Sequence, residues 1–186
     1  REMVVDGNWL LTTMNELPRY EKPPLPTWLT AISGILFGID NVGVLRLPAV
    51  LISIALLVGF YSLGHKALKL TKNQSFVATL VLSTSFYILF SGRNGQWDIF
   101  THGFMIFGIY HFFQLFEKNL NFFRHAILGG IFLGLSFMSK GPVSLFALFL
   151  PFVIAYGIVF KFLESNVTQE YFILIHIFLL VTYTSF

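Results

Sequence analysis

After residue 46 the chain is organised by long stretches that contain no Asp, Glu, Lys or Arg: 47–65, 73–92, 99–116, 125–139, 141–160 and 171–186. A helix crossing the bilayer core needs about 20 such residues. None of the runs alternates with a period of two as barrel strands do, and a backbone in lipid must satisfy its own hydrogen bonds, so each run predicts a membrane-embedded helix. The run 125–139 is short for a span, and 171–186 is still apolar where the sequence stops. Ahead of these runs the pattern differs. Residues 1–17 mix Glu2, Asp6 and Glu16 with Met3, Val4, Val5, Trp9, Leu10 and Leu11, which predicts an amphipathic segment lying on the membrane surface. A second short helix is expected over 25–38, closed by Gly38 and a turn at Asp40-Asn41. The expected architecture is therefore all-α: an external juxtamembrane platform over 1–41, then a polytopic transmembrane helical bundle over 42–186. The chain opens on Arg1-Glu2-Met3 and ends inside an apolar run, so it reads as a fragment shortened at both ends.

Composition makes the membrane assignment firmer. With 55% hydrophobic residues, 11% charged residues and 23 Phe in 186 residues, the chain holds more apolar surface than a soluble domain of this size can bury. The absence of cysteine excludes disulfides and thiolate metal sites. A net charge of +3 is dispersed over loops, which argues against nucleic acid as a partner. The distribution of that charge predicts orientation. Lys66, Lys69 and Lys72, then Lys118 and Arg124, then Lys161 occupy alternate loops and make up six of the twelve basic residues. By the positive-inside rule these loops are cytoplasmic. Lys22, Arg93, Asp98 and Lys140 then share the outer face. Trp9, Trp28 and Trp97 fall at the same interface, where an aromatic belt accounts for them. On the short fifth run, Gly130 and Gly134 form a small-xxx-small pair expected to face a neighbouring helix.

The stretch Arg19-Tyr20-Glu21-Lys22-Pro23-Pro24-Leu25-Pro26 concentrates charge and proline between greasy segments. Each X-Pro step holds the preceding residue in extended geometry, so Lys22-Pro23-Pro24 is a stiff corner that fixes a cation beside a carboxylate. It serves either as a rigid turn into a helix or as half of a phosphate site. Asp98, after the glycine-bearing break Ser91-Gly92-Arg93-Asn94-Gly95, is either a helix cap or a functional acid at membrane depth. Lys140, before Gly141-Pro142, either snorkels to the interface or binds an anion. His102, four residues after Asp98, shares its helix face and is assigned a structural role. His111, His125 and His176 stand alone, and no cluster has metal-ligand spacing.

Taken together, Tyr20-Glu21-Lys22-Pro23-Pro24-Leu25-Pro26-x-Trp28-Leu29, the preceding Gly7-Asn8-Trp9, Val44-Leu45-Arg46-Leu47-Pro48, Arg93…Asp98 and Ser139-Lys140-Gly141-Pro142 resemble the GT-C class of polytopic glycosyltransferases. That class includes the protein O-mannosyltransferases and the aminoarabinose lipid A transferases. The resemblance implies a sugar donor linked to a polyprenyl phosphate, an acceptor that is a protein, lipid A or another glycan, membrane lipids as surroundings, and no cofactor. It places Tyr20 and Glu21 along the donor site and makes Lys22 the leading phosphate-binding cation, with Arg93 and Lys140 as further candidates. Asp98 corresponds to the second acidic position; the leading acidic pair of the family precedes the segment that matches Arg1–Trp9 and is absent here. The active site would face the periplasm or exterior of a cell inner or plasma membrane. A transporter or flippase of a polyprenyl-linked substrate is the competing expectation, since it would bind the same phosphate without reaction.

Overall fold

The structure, a computed structural model, describes residues 2–5, 7–9, 13–14, 17–18, 23–116 and 121–163. They form helices α1 (Glu2–Val5), α2 (Leu25–Phe37), α3 (Val42–Ser62), α4 (Lys72–Ser83), α5 (Phe86–Asn94), α6 (Trp97–Phe116), α7 (Phe122–Lys140) and α8 (Leu150–Leu163). Wide π-type turns at Leu63–Ala67 and Leu145–Phe149 extend α3 and precede α8. The all-α expectation holds for the bundle. Residues 1–17 depart from it: their described part is one helical turn and a two-residue antiparallel ladder, Thr13–Met14 with Leu17–Pro18, in place of a continuous amphipathic segment. The chain forms two compact units, residues 1–144 and 145–186, and everything in the candidate site belongs to the first. In the second, the described residues are the Leu145–Phe149 turn and α8.

Local chemistry sets the element boundaries. In α2, Pro26 sits in the first turn, where a missing N–H costs nothing, and Gly38 ends the helix at a φ of 110°. Asn41 then caps α3, its side-chain oxygen accepting from the Gly43 N–H at 2.9 Å. Pro48 lies inside α3 and has no N–H for the carbonyl one turn back, that of Val44. The buried Ser33 hydroxyl of α2 donates to that Val44 carbonyl at 2.7 Å, so the proline's missing bond becomes the tie between the two helices. Thr71 and Gln74 form a capping box that starts α4.

The expected straight span over 73–92 is broken. Ser83 and Thr84 turn their hydroxyls back onto the Leu80 carbonyl at 2.8 and 3.1 Å, and α5 leaves α4 at a bend of 60°. Ser and Thr hydroxyls that bond the preceding turn compete with helix continuation, and the consecutive pair Ser83 and Thr84 does so where α4 ends.

Outward-facing apolar side chains run the length of the unit: Val50, Leu51, Ile54 and Val58 on α3, Phe76, Val77 and Val81 on α4, Ile127 and Ile131 on α7. In water this would be an exposed apolar patch beyond what a soluble monomer carries; in lipid it is the solvated face. Among the described residues, Val42–Ala67 and Phe122–Lys140 are long and apolar enough to cross a membrane, and α4 with α5 passes only as a bent pair. The protein is an integral membrane protein. Helix α6, interrupted by Asp98, His102, His111 and Gln114, runs through the middle instead and buries Ile99, Phe100, Thr101, His102, Met105, Ile109, Phe113 and Gln114.

Helices α6 and α7 pack antiparallel along a seam of small residues. Ser136 Oγ donates to the Thr101 carbonyl at 2.9 Å, and a Cβ added at Gly108 would stand 3.0 Å from Leu133 Cγ. The expected Gly130/Gly134 face is corrected: both glycines point into open space, and Gly129, one position earlier, faces His111, with Ser136 and Ser139 continuing the buried stripe. At the far end of the seam His111 and His125, expected to be solitary, meet Nδ1 to Nδ1 at 2.9 Å, while His176 lies outside the described residues.

Candidate active site

The antiparallel register of α6 and α7 brings the first turn of one beside the last turn of the other, and there Lys140 Nζ donates to the Asp98 carboxylate. Each partner suits its helix end, the carboxylate at a positive N-terminus and the ammonium at a negative C-terminus. The pair lies at the rim of the unit, with 20% of the Asp98 side chain and 41% of the Lys140 side chain exposed. Its ammonium therefore has donors left over for an anion arriving from outside.

Two further side chains stand near the carboxylate. From α5 comes the Tyr87 side chain, close enough to Asp98 for the two to interact electrostatically, while the fully buried Ser91 hydroxyl, one turn on, donates to Gln96 Oε1 at 3.5 Å. The His102 ring, buried one turn after Asp98, lies 5.7 Å from the Tyr87 ring with the planes tilted by 51°. Bringing α5 here depends on Gly95, whose left-handed conformation (φ 65°) reverses the chain between α5 and α6. Asp98 is thus ringed by an ammonium, a phenol and an imidazole.

Gly141 adopts a φ of 76° at the end of α7, and a Cβ added there would stand 3.8 Å from Pro23 Cγ. The Pro23-Pro24 corner consequently abuts Lys140-Gly141, so two motifs 118 residues apart in the chain share one end of the bundle. Tyr20, Glu21 and Lys22 lie outside the described residues. Arg93 is exposed in the last turn of α5, at the same end, and makes no ion pair with another described residue. No group of three His, Asp or Glu side chains able to hold a metal occurs among the described residues.

Sequence reasoning found Asp98, Lys140 and the proline corner but missed Tyr87 and Ser91. The one signal for them is the Ser83-Thr84-Ser85 cluster, which marks the break that swings α5 towards α6.

What this arrangement can do is offer the Lys140 ammonium to an anion at the rim while keeping a carboxylate beside it. The chain is 28% identical over 147 residues to an undecaprenyl phosphate-alpha-4-amino-4-deoxy-L-arabinose arabinosyl transferase of Shewanella sediminis, covering 78% of this chain and 26% of the relative. It is 31% identical over 149 residues to a transferase of the same description from Proteus mirabilis, covering 77% and 26%. An uncharacterised protein of Aquifex aeolicus is 26% identical over 171 residues, covering 91% and 32%. The chain therefore spans about a quarter to a third of the length of these relatives. In fold it is similar to the crystal structure of ArnT from Cupriavidus metallidurans in the apo state, with a TM-score of 0.74 and 17% identity, over 99% of this chain and 34% of that one. The family model of the dolichyl-phosphate-mannose-protein mannosyltransferases matches residues 21–185, and the chain belongs to that family.

Proposed function

We propose that the full-length protein is a membrane glycosyltransferase that takes a sugar from a polyprenyl-phosphate donor and passes it to a hydroxyl of a protein, lipid A or another glycan. The named relatives favour undecaprenyl phosphate carrying 4-amino-4-deoxy-L-arabinose as donor and lipid A as acceptor. The observation that carries the reading is the Asp98–Lys140 pair set against the Pro23 corner. In the reaction the acceptor oxygen bonds to the anomeric carbon, the bond from that carbon to the phosphate oxygen breaks, and the lipid phosphate departs with the electron pair. Cations stabilise that departing charge: Lys22 in the leading role, with Lys140 at the rim and Arg93 as further contributors. Glu21 and Tyr20 line the donor, and Asp98 orients the acceptor hydroxyl or accepts its proton. No cofactor or metal enters this scheme. The described residues ahead of α3 are read as a platform at the outer membrane surface.

The reading requires Lys22, Asp98 and Lys140 on the non-cytoplasmic side of a cell inner or plasma membrane. A tag at Asn94 is expected to be reached only from outside, and one at Lys69 or Lys118 only from the cytoplasm. A cytoplasmic Asn94 would dismantle the site. Donor binding gives a second check. Lys22→Ala in the full-length protein is expected to weaken binding of the polyprenyl phosphate by one charge-assisted contact, on the order of 1.5–3 kcal/mol, with Lys22→Arg recovering part of it. Normal donor affinity in Lys22→Ala would reduce the corner to a rigid turn.

A further inference from the structure

We propose that the turn after α3 and the start of α4 form a binding site for an anionic phospholipid, with the ammonium groups of Lys66 and Lys72 on its phosphate and an apolar face of α4 along its acyl chains. The site lies far from Asp98. Ile52 of α3 stands against Gly103 of α6, and Gly59 against Ile106 and Phe107, so α3 runs alongside α6 in the same direction, away from the candidate active site. Its 21 residues, at about 1.5 Å of rise each, carry the chain roughly 30 Å to Leu63. There the backbone is pinned. The Leu70 N–H donates to the Gly64 carbonyl at 3.0 Å, the His65 ring donates from Nδ1 to the Leu70 carbonyl at 3.0 Å, and Lys69 between them is held in the left-handed region at a φ of 58°. A non-glycine residue is strained there and stays only where its surroundings fix it. A Cβ added at Gly64 would stand 3.2 Å from the buried Ser75 Oγ, so the turn lies directly on α4, whose first turn is locked by the Thr71–Gln74 capping box. Lys66, two residues from Gly64, and Lys72, three from Ser75, therefore issue from one rigid corner. Both are exposed, neither pairs with an acid among the described residues, and the sequence has no Asp or Glu between 41 and 97. Basic residues that only set the orientation of a membrane protein need no fixed geometry. A pinned corner presents them preorganised for a ligand. What selects a lipid over a soluble anion is the surface that follows: Phe76 and Leu80, one and two turns after Lys72 on the same side of α4, are 62% and 52% exposed. A phospholipid whose phosphate meets the lysines lays its acyl chains on that face, whereas a soluble anion would use the polar half alone.

The test titrates phosphatidylglycerol into the full-length protein in a neutral detergent and counts bound lipid by native mass spectrometry, with phosphatidylcholine and inorganic phosphate as comparisons. The parent is expected to retain phosphatidylglycerol in preference to phosphatidylcholine. Lys66→Gln with Lys72→Gln should bind phosphatidylglycerol about tenfold or more weakly, because each lysine near the membrane surface adds to the attraction for an anionic headgroup, and the corresponding pair of Lys→Arg changes should keep the affinity. Phe76→Ala with Leu80→Ala should weaken it several-fold with both lysines in place. Inorganic phosphate should not displace the lipid. All four positions are exposed, so the unfolding temperature without added lipid should stay unchanged, which separates lost binding from lost fold. Undiminished phosphatidylglycerol affinity in the Gln variant overturns the site, as does equal retention of phosphatidylcholine by the parent. Displacement by inorganic phosphate, or normal affinity in the Phe76→Ala and Leu80→Ala variant, overturns the lipid as occupant in favour of a soluble anion. The site is remote from Asp98, so it stands or falls independently of the transferase reading.

Discussion

Asp98→Asn in the full-length protein is expected to lose turnover by roughly 100- to 10,000-fold, the range of a positioned acid or base, while binding the polyprenyl-phosphate donor almost normally. The substitution keeps the shape of the side chain and removes its charge. Asn caps a helix N-terminus about as well as Asp, so the start of α6 should survive. What disappears is the counter-charge of Lys140, and an unpaired ammonium at the rim is, if anything, freer to meet a phosphate. Rates and donor affinity should therefore separate. Initial-rate measurements beside direct donor binding decide the matter: full activity in Asp98→Asn would reduce the residue to a cap.

The second large effect is structural. Gly108→Leu is expected to destabilise the unit by about 1–3 kcal/mol or more through overpacking, and to lower the unfolding temperature of the detergent-solubilised protein. Even a bare Cβ at 108 would meet Leu133 Cδ2 at 2.8 Å and Cγ at 3.0 Å, so the Leu133 side chain would have to shift, and the rest of a leucine would then press on the α7 backbone, whose Leu133 N lies 3.5 Å from that Cβ. Gly134→Leu, on a face with nothing within 4 Å, should leave stability unchanged. Equal tolerance at both positions would mean that the α6–α7 seam is looser than these distances imply. Activity should fall with stability in the first variant, since the same seam holds Asp98 against Lys140.

That contrast also marks how far the sequence was legible. Charge-free runs located α3, α6 and α7, and the Asn41 and Gly38 boundaries followed from their own chemistry. Asp98 and Lys140 were visible because a charge beside a long apolar run is rare enough to stand out. The orientation of α7 was not, because three of its glycines fall within six residues and composition cannot say which one meets a neighbour; Gly129 does so, and Gly130 and Gly134 do not. Nor was the bend between α4 and α5. A single serine in a span is ordinary, and only the back-bonding of Ser83 and Thr84 onto Leu80 shows that the helix has ended. Missing the bend meant missing Tyr87, since a straight helix would have carried that residue elsewhere. The His111–His125 contact was hidden for a different reason: it depends on the register between two helices, which no local pattern encodes.

The bend has one more consequence, for the lipid. Twelve residues of α4 and nine of α5, at about 1.5 Å of rise each, would reach roughly 32 Å as a straight rod but only about 25 Å along the α4 axis when bent by 60°. A bilayer core is about 30 Å thick. Set along the membrane normal, the pair would fall several ångströms short of that thickness, a mismatch that bilayer thinning or snorkelling of flanking side chains takes up. Arg93, exposed in the last turn of α5, is a flanking side chain placed to take up part of that mismatch.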